Sequence, residues 1–141
     1  MNTESEIRTL LDQVVEATRA KNIGAVMRHY APDVLAFDVI DPLQYSGEGV
    51  LRRRGAAWFA SFDGPIHYEL AELKVSAADS VAVCHGLSHV GGTTTKGREL
   101  NMWWRTTYAL QKRGDRWLVT HVHSSVPFDP NSGSASLSLE P

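Results

Sequence analysis

The chain has 141 residues, 43% of them hydrophobic and 21% charged, which is one domain's worth of sequence and excludes a second independent domain. Lys plus Arg is 14 and Asp plus Glu is 16, so the net charge is −2 with neutral histidines. The one basic run, Arg52-Arg53-Arg54, is short, so neither nucleic acid nor an anionic membrane is an expected partner. Cys84 is the single cysteine, which excludes an intrachain disulfide and a Cys-based zinc site. The first six residues are polar and no stretch approaches the roughly 18 apolar residues of a membrane span, so the expected location is the cytoplasm.

The clearest helical signal covers residues 3 to 21. Ile7, Leu10, Leu11, Val14, Val15 and Thr18 recur at helical spacing and make one apolar stripe, and Thr3 with Glu6 fits a capping box at its start. Asn22 caps a short second helix through Val26, Met27 and Tyr30, which ends before Pro32. From Asp33 the period changes, and Val34 to Ile40 form an apolar run with one charge, Asp38, stopped by Asp41-Pro42 and read as a buried strand. A third helix runs from Gly49 to Phe62, with Leu51, Gly55, Trp58, Phe59 and Phe62 on one face, and Asp63-Gly64-Pro65 ends it.

After Pro65 the pattern is strand. Four runs, 66–76, 80–91, 98–112 and 116–126, are separated by short turns, of which Arg113-Gly114-Asp115 is a strong hairpin signal. Short turns between successive strands imply an antiparallel meander. Beyond Phe128 the chain is Ser-rich and low in apolar content, so residues 129–141 are expected to form a mobile tail. The fold class is therefore α+β: a cone-shaped, curved, mostly antiparallel sheet wrapped around three amino-terminal helices.

Strict alternation places Trp117, Val119, His121, His123 and Ser125 on one face of the last strand, with the two imidazoles roughly 7 Å apart. The preceding strand puts Asn101, Trp103, Arg105 and Thr107 on one face and Met102, Trp104, Thr106 and Tyr108 on the other. Arg105 falls in the neighbourhood of the His-x-His pair, and His85 and His89 share a face of the strand before it. Three readings are open. The imidazoles belong to a core or dimer face and are satisfied by backbone carbonyls; or His121, His123, Arg105 and Asp38 are the placed polar groups of an aromatic cavity; or His-x-His with His85 or Asp38 binds a metal. The lack of a Glu close to the pair and of a helping Cys counts against the metal.

Asp38, between Phe37 and Val39, is the catalytic candidate: an apolar setting would desolvate it and suit it to take a proton near neutral pH. A cap or turn ligand beside Asp41-Pro42 is its other reading. Cys84 alternates with His85 and is read as a core thiol. No Gly-rich phosphate loop and no Gly-x-Ser-x-Gly elbow is present.

The run His29-Tyr30-Ala31-Pro32-Asp33-Val34-Leu35-Ala36-Phe37-Asp38, followed by Ser46-Gly47 and a helix bearing Trp58-Phe59, resembles the front half of SnoaL-like and ketosteroid-isomerase-like proteins of the nuclear-transport-factor-two-like superfamily. Arg105-Thr106-Thr107 and the run Gly114 to Ser125 resemble that superfamily's final hairpin. The hairpin is especially similar to that of the calcium/calmodulin-dependent kinase II association domain. The resemblance implies a cystatin-like α+β barrel over residues 1–128 and a small-molecule pocket without a cofactor. The activity it implies is that of an isomerase, cyclase or lyase using Asp38, with His121 and His123 beside it; the alternative is a non-catalytic binding or association module. Substrate contacts would come from Arg105, Trp103, Trp58, His85, Tyr30 and Ser125. The steroid isomerases' oxyanion tyrosine falls near Val14 and their strand aspartic acid is absent, Asn101 being the nearest polar substitute, so an oxyanion stabiliser would come from Arg105, His121, His123 or Trp103. A homodimer through the outer sheet face is expected, with Tyr108 and Trp104 supplying apolar contact.

Overall fold

The computed structural model describes residues 2–141. Helix α1 (Thr3–Arg19) carries the expected stripe: Ile7, Leu10, Leu11, Val14, Ala17 and Thr18 are buried. Its cap is Asn2 rather than a Thr3–Glu6 box, the Asn2 side chain accepting from the Ser5 N–H at 2.8 Å. Helix α2 (Ile23–Met27) is capped by Asn22 as expected, yet it stops before Tyr30, which opens strand β1 (Tyr30–Phe37). A two-residue strand β2 (Tyr45–Ser46) leads into helix α3 (Glu48–Ala60). Helices α2 and α3 approach closely at Gly55, where a Cβ would stand 2.5 Å from Ile23 Cδ1, so a residue without a side chain lets them pack.

The four predicted strands are present as β3 (Phe62–Ala77), β4 (Val81–Thr94), β5 (Glu99–Arg113) and β6 (Arg116–Ser125). They join β1 and β2 in one six-stranded sheet of order β2-β1-β6-β5-β4-β3. Every neighbouring pair is antiparallel except β1 with β6. The fold is α+β, with the helices against one face of a mostly antiparallel sheet. Its core joins Ile7, Leu11 and Val14 of α1 to Val90, Tyr108, Leu110, Trp117 and Val119 of the sheet.

One irregularity decides where the side chains of β6 point. Ala109 pairs with His121 while the adjacent Leu110 pairs with Val119, so Thr120 is an extra residue and β6 is bulged there. Trp117 and Val119 are buried in the core; past the bulge it is Val122 and Ser124 that face the helices. His121, His123 and Ser125 are thereby turned to the opposite face from Trp117 and Val119, against the expected strict alternation. A one-residue slip exchanges the faces of everything downstream.

The carboxy-terminal segment, expected to be mobile, is folded back. Phe128 bridges Ala135, the Asp129 N–H donates to the Ser134 carbonyl at 2.8 Å, and the Ser136 N–H to that of Pro127 at 2.8 Å. Among the described residues, no helix is long and apolar enough to cross a membrane.

Candidate functional site

A cavity of about 540 Å³ lies between the helices and the inner sheet face. Val26 and Met27 of α2, Leu51, Trp58 and Phe59 of α3, and Leu100, Met102 and Trp104 of β5 give it apolar walls. Ala135 and Leu137 of the folded-back segment complete the lining on one side. Both its size and its apolar character suit a small organic ligand.

Three tyrosines supply the interior polar groups. Tyr30, Tyr68 and Tyr108 all line the cavity, and Tyr108 is the shared neighbour of the other two phenols. From Tyr68 the polar chain continues between buried groups: its hydroxyl donates to Ser88 Oγ at 3.4 Å, and Ser88 Oγ lies 2.7 Å from Thr106 Oγ1. Burial, reinforced by the neighbouring phenols, raises Tyr108 well above the usual phenol range, and Tyr30 is raised by burial first and by Tyr68 second. Burial raises Tyr68 as well. All three therefore stay protonated at neutral pH and retain O–H groups able to donate to a ligand oxygen.

Asp38 lines the same cavity where β1 ends. It is exposed, so the desolvation expected from its apolar neighbours is absent, and one carboxylate oxygen accepts the Val39 N–H at 2.7 Å. The turn-ligand and pocket readings of Asp38 thus coexist. Arg54 of α3 and Tyr45 of β2 stand nearby, the guanidinium 3.9 Å above the ring centroid. The Tyr45 hydroxyl donates to the Ile40 carbonyl at 3.2 Å and to the Asp41 carbonyl.

Of the residues predicted for the site, Asp38, Tyr30 and Trp58 meet at this cavity, and the rest do not. His121, His123, Arg105, Trp103, His85 and Ser125 lie together on the outer sheet face. His121 Nδ1–H donates to the Leu35 carbonyl at 2.7 Å, and Phe37 packs edge-on against the His121 and His123 rings at 4.7 and 5.3 Å. Arg105 Nε donates to Ser125 Oγ at 3.1 Å. Trp103 stacks on His89, whose Nε2 faces Asn101 Oδ1 at 2.6 Å. The physical reasons are the β6 bulge and the choice of face on β5, whose residues Met102, Trp104, Thr106 and Tyr108 line the cavity instead. Tyr108 and Trp104, expected on a dimer face, are thus inside. Cys84 is fully buried, and burial pushes its thiol up to about 11, so it packs as a core thiol.

Comparison with known proteins bears on this geometry. The model of the SnoaL-like domain matches residues 7–129. The chain belongs to the SnoaL-like family. Among solved structures this SnoaL-like chain is similar to an NTF2-like protein of unknown function from Pseudomonas putida KT2440, at 32% identity and TM-score 0.88, over 100% of this chain and 99% of that one. It shares its fold with a Xanthomonas campestris protein named for the calcium/calmodulin-dependent protein kinase II association domain, at 21% identity and TM-score 0.76, over 89% and 88% of the two chains. The same holds for a ketosteroid isomerase-like protein from Erwinia carotovora atroseptica SCRI1043, at 19% identity and TM-score 0.74, over 89% and 97%. Among curated proteins none matches the chain.

The SnoaL-like chain departs from the expected steroid-isomerase pattern in one further respect. Val14 is in the core and Asn101 is on the outer face against His89, so neither reaches the cavity. The phenols there come from the sheet strands, and the α1 hydroxyl in the lining, that of Thr18, donates to the Val14 carbonyl at 2.8 Å. Sequence reading missed Tyr68, Tyr108 and Arg54; the more apolar alternate face of β5, from Leu100 to Leu110, was the available signal for Tyr108.

Proposed function

We propose that this SnoaL-like domain binds a small apolar molecule bearing a carbonyl or hydroxyl oxygen, and that it acts on it as a cofactor-free isomerase, cyclase or lyase. The reading rests on one observation: apolar walls enclose three phenols, Tyr108 buried and Tyr30 and Tyr68 half-buried, with a single carboxylate, Asp38, at the mouth. A tyrosine hydroxyl holds the ligand oxygen and stabilises negative charge that develops on it. Asp38, whose free carboxylate oxygen faces solvent and cavity, takes the proton from the adjacent carbon and returns it elsewhere. Asp38, a phenol and the ligand itself are the groups that enter this proton transfer.

Trp58 and Trp104 line the cavity, so occupancy is expected to change tryptophan emission. A panel of flat, apolar ketones and phenols should yield compounds that shift the emission and stabilise the fold, by about 2.7 kcal/mol at a hundredfold excess over Kd. Trp104→Phe should remove much of the optical response and keep the thermal one. If every compound at saturation leaves both emission and unfolding temperature unchanged, the pocket reading is wrong.

The outer sheet face favours a second element of the proposal, self-association. Val81 and Val83 are exposed there at 54% and 45%, in line with the half-buried Leu87 and Trp103 of the same face, and a second copy would cover them. The parent is expected to sediment as a dimer and Val83→Glu as a monomer with an unchanged thermal transition at high protein concentration. A parent that sediments as a monomer at tens of micromolar would refute it.

A further inference from the structure

The mouth of the cavity holds a cation as well as a carboxylate, and nothing in the reaction outlined above uses it. Arg54 lies on the second turn of α3, half-buried, with its side chain in the cavity wall. Its neighbours on that helix are committed elsewhere or face solvent: Arg52 pairs with Glu48 at 2.5 Å, and Arg53 is exposed. Among the described residues the chain forms five ion pairs, and Arg54 is in none of them. What holds it is the face of the Tyr45 ring at 3.9 Å and one long hydrogen bond, from Nη2 to the Asp41 carbonyl at 3.5 Å. A guanidinium has five N–H donors in a rigid fork. Stacking on Tyr45 fixes the plane of that fork and leaves most of the donors free at the edge of an apolar space.

We infer that Arg54 is the specificity determinant for a ligand carboxylate, so that the molecule this pocket accepts is a hydrophobic monocarboxylic acid with a second oxygen on its apolar body. The inference rests on the proposed pocket and names the class of ligand for it. The apolar body fills the space between Met27, Trp58 and Trp104, the second oxygen meets the phenols of Tyr30 and Tyr108, and the carboxylate stays at the mouth on the guanidinium fork. Charge argues for a carboxylate over a phosphate. Asp38 lines the mouth beside Arg54, so one negative group already stands there against one positive. A single further charge is matched by the bidentate fork, whereas a dianion adds repulsion from Asp38. The same arrangement places a ligand carboxylate near Asp38 and so sets which carbon of the body lies within reach of that base.

Matched pairs of probes test this: benzoate, 2-naphthoate and 4-phenylbenzoate, each against its methyl ester, titrated calorimetrically into the full chain. The parent is expected to prefer the acid of a binding pair by at least about tenfold, the scale of a charge-assisted hydrogen bond. Arg54→Met should abolish that preference and leave the ester affinity as it was, which also shows that the variant is folded. Arg54→Lys should keep part of the preference, since the charge remains and the fork is lost. Equal affinity for acid and ester in the parent, or a preference that survives Arg54→Met, overturns the assignment and leaves the pocket standing. If no compound of any pair binds, the pocket reading fails and the assignment fails with it.

Discussion

Asp38→Asn is expected to bind the pocket's ligand at least as tightly as the parent, since a negative charge beside the ligand is removed, and to turn it over about 10² to 10⁴ times more slowly, the range a positioned general base contributes. The substitution is close to isosteric. Its side-chain oxygen can still accept the Val39 N–H that Asp38 accepts at 2.7 Å, and the position is exposed, so the fold should change by less than about 0.5 kcal/mol. What the amide cannot do is take a proton at neutral pH. The measurement is exchange of carbon-bound ligand protons in heavy water, followed by nuclear magnetic resonance, beside a calorimetric Kd. Exchange and turnover at the parent's rate would remove Asp38 from the chemistry. The Tyr108→Phe protein makes a useful comparison in the same assay, since it removes a donor and leaves the base untouched.

Leu110→Ala should be the most damaging single truncation of the fold, costing about 2–5 kcal/mol. Leu110 is 1% exposed and belongs to the core that joins α1 to the sheet. It also pairs with Val119 at the edge of the β6 bulge, where the register shift leaves little freedom for neighbours to collapse into a void. For a chain of this length the melting temperature should fall by roughly 10 °C. Gln111→Ala, one residue on and exposed on the other face, should be close to neutral. Scanning calorimetry of the two variants side by side checks the assignment of faces on β5, since equal losses would contradict it.

The elements of this fold were legible because each carries a local signal. The α1 stripe, the Asn22 cap and the Gly114 turn are short-range patterns, and the structure has them within a residue or two of the expected places. The resemblance of the β1 run and final hairpin to the SnoaL-like family also pointed to the right fold. The site was less legible, for two physical reasons. On β6 the bulge at Thr120 is a property of pairing with β5, so strict alternation assigned His121 and His123 to the wrong face. On β5 both faces carry a tryptophan. The face bearing Arg105 looked chemical, while the apolar face bearing Trp104 and Tyr108 was the one that borders the cavity. Arg54 escaped notice for a third reason: inside Arg52-Arg53-Arg54 it reads as one of three solvated charges, and only the approach of Tyr45 sets it apart.

The folded-back carboxy-terminal segment gives the cavity walls of unequal stiffness. On the helix side Val26, Met27 and Phe59, which line the cavity, are 8%, 4% and 6% exposed, whereas Leu137, which lines it from the segment, is 48% exposed. The hydrogen bonds that shape the segment run mostly within it, from Pro127 to Ser136. Pushing Leu137 aside therefore costs about 1 kcal/mol, half or less of what full burial of such a side chain is worth, and a ligand longer by one or two carbons offsets that by its own burial. Discrimination by length is then steep toward the helices and shallow toward this segment, so a homologous series grown in that direction should lose affinity gradually and show no sharp cutoff.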